Sequence, residues 1–279
     1  MAITKRTRRI RWAGSRAVAF VLCSCVAAAQ WLNYPTPGVP RTADGKPNLL
    51  APAPRLDGHR DLSGVWKLEP APCDPASINQ CGGDYTGGPE FGNLGARLPG
   101  GLPYQAWAAE MVRLRAPDLG RDDPVAACKP AGALRLLTYP PYRKFLQMPG
   151  LFVILSERDV TYRQVFTDGR PLPEDPSPNW NGYSIGRWDG DALVVETIGF
   201  RDGTWLDRRA SPLTSAAKMT EKFRRVNFGN LEIEIIIEDS KAYTKPFTVK
   251  LHQMLVLNTD LLDYHCQDNE KDSAHAVGK

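Results

Sequence analysis

The segment from Leu231 to Glu238 alternates apolar and polar residues, and this two-residue period constrains the fold more than any other feature of the chain. Its odd positions are leucine and isoleucine, whereas Glu232, Glu234 and Glu238 occupy even positions. A β-strand has this period when one face lies in a core and the other in water, as antiparallel sheets permit. A catalytic cluster is an alternative reading of the three glutamates, but we interpret them as the solvated face of a strand.

Eight further segments carry strand signals, so we predict a mainly β protein. Short turn signals such as Asp189-Gly190-Asp191 separate several of them, which favours a meander of hairpins. A meander of eight or nine strands hides its edges by closing, so the sequence predicts an antiparallel up-and-down barrel. Its interior would be just wide enough for packed side chains or for one small ligand. The predicted strands are 63–68, 144–147, 151–157, 160–167, 182–188, 192–200, 218–226 and 247–257.

The positions of proline and glycine predict how the domain is organised. Residues 30–62 contain six prolines and are expected to form an extended arm, because proline excludes a long helix or a central strand. Residues 63–266 are predicted to form a single barrel domain, interrupted by a long insertion at about 70–143. The polar residues 267–279 are expected to form a mobile tail.

One short helix is predicted within the insertion, over residues 104–115. Trp107, Met111 and Leu114 are spaced by four and then three residues, which places them on one helical face. The remainder of the insertion is rich in glycine and poor in pattern, so we expect long Gly/Pro-rich loops.

The first 29 residues resemble a secretory signal peptide. Six basic residues precede the apolar stretch 17–29, which ends in three alanines before Gln30. The sequence Leu22-Cys23-Ser24-Cys25 also resembles a lipobox, so a lipid anchor at Cys25 is an alternative. We therefore predict an exported protein, periplasmic or extracellular, with an outer-membrane lipoprotein as the second possibility.

The charge of the mature chain argues against several classes of partner. Removal of the leader leaves 29 Lys and Arg against 31 Asp and Glu, a net charge of −2. That balance gives no reason to expect binding to nucleic acid or to an anionic membrane surface. No apolar run reaches the 18 to 20 residues that a membrane-spanning helix requires, so no span is predicted.

Four cysteines remain after cleavage, and an even number in an exported chain favours disulfides. Of the three possible connectivities we prefer Cys73–Cys81 with Cys128–Cys266, because the first two are neighbours in sequence. A Cys/His metal site is the alternative, but it has only the weak signal His265-Cys266. We therefore predict no metal site.

Six motifs carry a resemblance to known families. Asp61-Leu-Ser-Gly-Val-Trp-Lys-Leu68 contains a Gly-x-Trp element and resembles the opening strand of lipocalins and related calycin barrels. The other five are Asp44-Gly-Lys-Pro47, Phe145-x-Gln147-x-Pro149-Gly150, Asp168-Gly-Arg-Pro171, Ser184-Ile-Gly-Arg-Trp-Asp-Gly-Asp-Ala-Leu-Val-Val-Glu-Thr197 and Thr204-Trp-Leu-Asp207. Together the motifs resemble a family of uncharacterised exported bacterial proteins over most of residues 40–266. The resemblance implies export and a lipocalin-like barrel, and it implies no established activity.

Ionisable residues within predicted strands are the candidates for chemistry, because the common hydrolase, protease and phosphate-binding motifs are missing from the sequence. Glu196 and His252 alternate with apolar residues, so they could form an acid–base pair inside a pocket. Arg163 or Arg187 could then stabilise an oxyanion. The alternative is that these side chains point outward, with Arg187 and Glu196 forming a cross-strand ion pair.

Aromatic residues and strand ends supply candidate ligand-binding positions. Tyr183, Trp188 and Trp205, together with Trp180, fall near loops and could line the mouth of a pocket or cap the barrel as core. Asp207 is expected at a strand end, where binding residues collect.

Three functions are compatible with this sequence, and the barrel interior discriminates among them. A hollow apolar interior would favour a carrier of a small apolar or aromatic molecule. A hollow interior with unpaired ionisable groups would favour an isomerase, lyase or hydrolase that needs no cofactor. A solid interior would favour a structural envelope protein. The sequence leaves the oligomeric state open.

Overall fold

The structure is a computed structural model that describes residues 34–69, 89–118 and 121–266. Two helices, α1 (Ala106–Arg115) and α2 (Ala133–Thr138), and three 3₁₀ turns (Pro89–Phe91, Ala116–Asp118 and Pro124–Ala127) precede the main run of strands. The described strands are β1 (Arg55–Leu56), β2 (His59–Arg60), β3 (Gly64–Leu68), β4 (Arg143–Met148), β5 (Leu151–Ser156), β6 (Thr161–Phe166), β7 (Tyr183–Asp189), β8 (Ala192–Ile198), β9 (Thr204–Trp205), β10 (Pro212–Leu213), β11 (Lys218–Arg225), β12 (Asn230–Glu238) and β13 (Phe247–Leu255).

Several sequence predictions fall outside the described residues. They are the signal peptide 1–29 with the candidate anchor Cys25, the pair Cys73 and Cys81, and the tail 267–279.

Nine strands form a closed barrel in the order β3-β4-β5-β6-β7-β8-β11-β12-β13, with β13 pairing back to β3. The prediction of a mainly β barrel is therefore confirmed. Each of the nine predicted strands matches an observed one to within two residues at either end. Two small ribbons, β1–β2 and β9–β10, and the helix α2 were not predicted.

The barrel differs from the predicted antiparallel meander at one neighbour pair. β6 and β7 run parallel and pair only at Val165–Ser184 and Phe166–Ile185. An antiparallel ring reverses direction at every step, so it closes only with an even number of strands. Nine strands require a parallel step, and the long connection 167–182 provides the chain length that a parallel crossover needs.

Inward-facing side chains fill the barrel. Leu231, Ile233, Ile235 and Ile237 of β12 are at most 1% exposed, as the alternating pattern predicted. Inside the barrel, the rings of Phe145, Phe152 and Phe223 contact one another with centroids 5.4 to 5.9 Å apart. These residues belong to one continuous apolar cluster.

The outer face of β12 carries the glutamates that the sequence analysis interpreted as a solvated face. Glu234 forms an ion pair with Lys250 at 3.1 Å, and Glu232 pairs with Arg224. Both pairs are exposed, so the structure agrees with a solvated face rather than with a catalytic cluster.

Trp66 and Arg225 close one end of the barrel. Trp66 is fully buried and donates its indole N–H to the carbonyl of Leu62 at 3.0 Å. The Arg225 guanidinium lies 5.0 Å from the Trp66 ring and donates to the carbonyl of Asp61 at 2.6 Å. Gly64 beside this cap has a φ of +144°, which side chains rarely adopt, and a Cβ there would also lie 2.6 Å from Leu255 Cδ1, so the position favours glycine.

The insertion between β3 and β4 closes the opposite end. Leu94, Leu102, Leu134 and Leu137 join the barrel core from this segment. The prediction about the face of α1 is wrong, because Ala108 and Val112 are buried whereas Trp107 is 48% and Leu114 58% exposed. The exposed Trp107 donates its indole N–H to the carbonyl of Lys241 at 2.7 Å.

The described part of the arm, 34–62, contains the β1–β2 ribbon, which docks on the β7–β8 turn. Arg55 and Arg60 both bind the carboxylate of Asp191, at 2.9 and 3.1 Å. His59 stacks on Trp188 with ring centroids 4.4 Å apart.

The docking of the arm is expected to weaken at acid pH. Hydrogen bonds from Arg55 and Arg60 hold the pKa of Asp191 below its ordinary value. A carboxyl with a depressed folded-state pKa stabilises the folded state at neutral pH, and this contribution is lost as the pH falls below about 4. Hydrogen-exchange protection factors for residues 55–60 should therefore fall between pH 7 and pH 3.

The variant Asp191→Asn supplies the control. It should lower protection of the same segment at neutral pH and remove the dependence on acid. Equal wild-type protection factors at both pH values would contradict the prediction.

Candidate functional site

A cleft of about 540 Å³ opens on the outer side of the barrel where β6 and β7 separate. The two strands share only two residue pairs, so the first half of β6 lies opposite the loop 179–182 instead of a neighbouring strand. The side chain of Asn181 spans this gap, and its Nδ2 donates to the carbonyl of Tyr162 at 3.0 Å. The cleft is therefore a direct consequence of the parallel step.

Aromatic and amide side chains dominate the lining of the cleft. Tyr162 is 62% exposed. Tyr183 stacks on Phe166 with centroids 5.4 Å apart, and the Arg170 guanidinium lies 3.9 Å from the Phe166 ring. The lining residues with aromatic or amide side chains are Tyr162, Gln164, Phe166, Asn179, Trp180, Asn181 and Tyr183.

Gly182 determines how the chain enters β7 beside the cleft. Its φ of +66° lies in the left-handed region, and a Cβ there would lie 2.5 Å from Thr197 Cγ2. Only glycine fits this close approach. Just before it, the backbone N–H of Asn181 donates to Asn179 Oδ1 at 3.0 Å, which fixes the turn.

A buried ion pair forms the floor of the cleft. Arg163 Nη1 donates to Glu221 Oε1 at 2.9 Å, and Nη2 donates to Glu221 Oε2. Arg163 also donates to Ser184 Oγ at 3.1 Å and to Thr197 Oγ1 at 2.8 Å. These residues lie on β6, β11, β7 and β8, so the network links four consecutive strands across the short β6–β7 pairing.

The rim of the cleft is a turn that the chain's C-terminal segment holds in place. Asp159 and Val160 adopt φ values of +56° and +47°, and such values are strained for a β-branched residue. The N–H of Asp159 donates to the Tyr264 carbonyl at 2.7 Å, and its Oδ1 accepts from the Cys266 N–H at 3.1 Å.

The predicted disulfide Cys128–Cys266 is confirmed, with a Cα–Cα distance of 5.5 Å. It ties the segment 264–266 to the turn that leads to Pro130, which also lines the cleft. Both halves of the disulfide therefore support one wall of the site.

The structure does not bring the predicted acid–base pair together. Glu196 lies on the outer face of β8, 3.5 Å from both Arg187 and Lys218, which agrees with the cross-strand ion pair considered as the alternative. His252 is exposed on the outer face of β13, opposite Glu232. Three strand spacings, about 14 Å, separate β8 from β13.

Of the six predicted binding residues, only two lie at the cleft. Arg163 and Tyr183 line the cleft, whereas Trp188 packs beneath His59 at one end of the barrel. Trp205 is 5% exposed, lies 5.6 Å from the Arg115 guanidinium and does not line the cleft.

Asp207 is fully buried and organises the loop that joins β9 to β10. Its carboxylate accepts the Leu94 N–H at 2.8 Å and the Ser211 hydroxyl at 2.7 Å. Burial raises the pKa of this carboxyl, and the two hydrogen bonds oppose that shift. These contacts give Asp207 a structural role, because its carboxylate holds the β9–β10 loop against Leu94.

Sequence reasoning missed Tyr162, Gln164, Asn179 and Asn181 as site residues. The available signal was the length of the connection 167–182, which is too long for a hairpin and therefore indicates a different step in the meander.

Among residues 34–69, 89–118 and 121–266, no group of three or more His, Cys, Asp or Glu is placed to hold a metal ion. No helix in the described parts of the chain has the length and apolar character needed to cross a membrane. The chain matches no known protein-family model, and it has no significant match among curated proteins.

Removal of Arg163 is expected to destabilise the barrel strongly. The variant Arg163→Met leaves the fully buried Glu221 carboxylate without its counter-charge, which typically costs about 3–5 kcal/mol. Urea unfolding should show this loss in the free energy of unfolding. The double variant Arg163→Met/Glu221→Leu should lose less than the single one, since no buried charge remains, and a larger loss would contradict this account.

The disulfide is expected to hold the rim of the cleft. In the double variant Cys128→Ser/Cys266→Ser, hydrogen-exchange protection at residues 159–161 should fall because residues 264–266 no longer restrain the strained turn. The free energy of unfolding should also fall by about 3–5 kcal/mol. Protection of residues 55–60 is the internal control, because these amides lie in the arm, away from the disulfide, and are expected to exchange by local opening. Unchanged protection at 159–161 would show that the turn keeps its conformation without the disulfide.

Proposed function

We propose that this protein is an exported small-molecule-binding protein whose ligand occupies the cleft between β6 and β7. One observation carries the proposal, namely the concentration of four aromatic and three amide side chains around this opening. Binding sites typically combine an apolar or aromatic lining with a few polar groups that orient the ligand. The ligand class is a small molecule with an aromatic face and substituents that form hydrogen bonds.

The packing of the barrel supports an external rather than an internal site. Phe145, Phe152 and Phe223 pack against one another inside the barrel, and both ends are closed by buried side chains. Export is supported by the Cys128–Cys266 disulfide, because such bonds persist mainly in oxidising compartments.

The enzyme alternative receives less support from the geometry. Glu196 and His252 lie on separate outer strands, and Arg163 is engaged by Glu221 rather than facing a substrate oxyanion. A structural envelope protein is the second candidate, because a filled interior favours it. Ligand binding at the cleft discriminates between the two functions.

Equilibrium dialysis with 2-naphthamide as an aromatic probe tests the proposal. Tyr162→Ala should weaken binding about fivefold to tenfold, since it removes an exposed stacking surface without disturbing the core. Tyr34→Ala is the matched control, because Tyr34 is 60% exposed and does not line the cleft, and its binding should equal that of the wild type.

Two results would count against a binding function at this site. One is an equal loss of affinity in both tyrosine variants, which would locate the probe elsewhere. The other is no measurable binding of the probe to the wild type, which would favour the structural role.

A further inference from the structure

We infer that the cleft selects an uncharged ligand, and that Glu221 sets this selectivity by neutralising Arg163 from behind the cleft wall. The inference rests on the proposed function and defines its ligand class further. Glu221 is a positioning residue, since it acts on the ligand only through Arg163.

Arg163 offers no uncompensated charge to the cleft. Its guanidinium forms a two-point ion pair with Glu221, and both side chains are at most 2% exposed. The carboxylate is entirely buried, so water screens the pair weakly. An anionic ligand on this floor would lose hydration and would gain no ion pair in return.

The same argument holds for the second charged residue of the lining, Asp159. Its Oδ2 accepts from Arg158 Nε at 3.0 Å, and its Oδ1 accepts from the Cys266 N–H at 3.1 Å. A cationic ligand would therefore compete with an arginine that is already in place. Both charged residues that line the cleft have protein counter-charges.

Two further arginines stand near the opening without lining it. Arg170 is paired with Asp168 at 2.6 Å. Arg201 lies 5.4 Å from the Trp180 ring and is exposed, so solvent and salt screen its charge. The groups left to orient a ligand are neutral, namely the amides of Gln164, Asn179 and Asn181.

These contacts define the ligand by its chemistry. It is a neutral molecule with a flat aromatic face for Tyr162 and Trp180 and with amide or hydroxyl substituents for the surrounding amides. Such selectivity depends on the free-energy cost of burying a charged ligand as much as on favourable contacts to a neutral one.

Three probes of one shape and different charge test the inference: 2-naphthamide, 2-naphthoate and (2-naphthylmethyl)ammonium. At pH 7 and 150 mM salt, the wild type should bind the amide at least about tenfold more tightly than either ion. Equal or tighter binding of an ion would overturn the inference, and the Tyr162→Ala result would still decide the proposed function separately. If none of the probes binds, the proposed function fails and the inference fails with it.

The variant Glu221→Gln tests the part assigned to Glu221. It should leave the positive charge of Arg163 without its counter-charge. The ratio of naphthoate affinity to naphthamide affinity should then rise at least about tenfold. Glu221→Asp keeps the negative charge and should restore the preference for the amide. An unchanged ratio in Glu221→Gln would show that Glu221 does not set the selectivity. If Glu221→Gln does not fold, as judged by circular dichroism, the three-probe comparison on the wild type decides the inference.

Discussion

The odd number of strands is the constraint on which the rest of this structure depends. A ring of nine strands cannot alternate in direction throughout, so two neighbours must run parallel, and here they are β6 and β7. The chain has to travel back along the outside of the barrel between them, which explains the long connection 167–182. Parallel pairing begins only at Val165, and the first half of β6, which has no strand partner on its β7 side, becomes one wall of the cleft.

The buried network around Arg163 compensates for the weakness of this step. β11 and β12 are joined along eight residue pairs, whereas β6 and β7 are joined along two. Arg163 reaches from β6 to Ser184, Thr197 and Glu221 and so connects side chains where backbone pairing is short. Buried ion pairs contribute little net stability, yet their geometry opposes alternative registers, and a slip of one residue would turn Arg163 outward.

The sequence was sufficient for the barrel strands and insufficient for the site, for separate physical reasons. Strand positions depend on the local alternation of apolar and polar residues, which is clearest in β12 and is also recognisable in the other barrel strands. The orientation of a charged residue depends on strand phase, and β8 is ambiguous because Val194 and Ile198 on its outer face are as apolar as Leu193 and Val195 inside. Arg163 and Glu196 therefore looked alike in sequence, although one lies in the core and the other outside it.

The helix α1 shows the same limit on a smaller scale. Its short apolar spacings fit either the Trp107 face or the Ala108 face, and only the position of the insertion against the barrel decides between them. The cleft is a still more global property, because it exists only once the ring has closed. To predict the cleft, one has to combine the number of strands, the relative direction of each neighbouring pair and the length of the connection 167–182.

A site at the single irregular step of a closed barrel combines rigidity with room for a ligand. The floor is held by four strands through the Arg163 network, and the rim is held by a disulfide to a distant part of the chain. Between these supports the first half of β6 is paired with β5 but has no strand partner on its β7 side, so a bound molecule can approach that side without disrupting a ladder. In a barrel whose interior is occupied by side chains, this opening lets a ligand reach the barrel wall from outside.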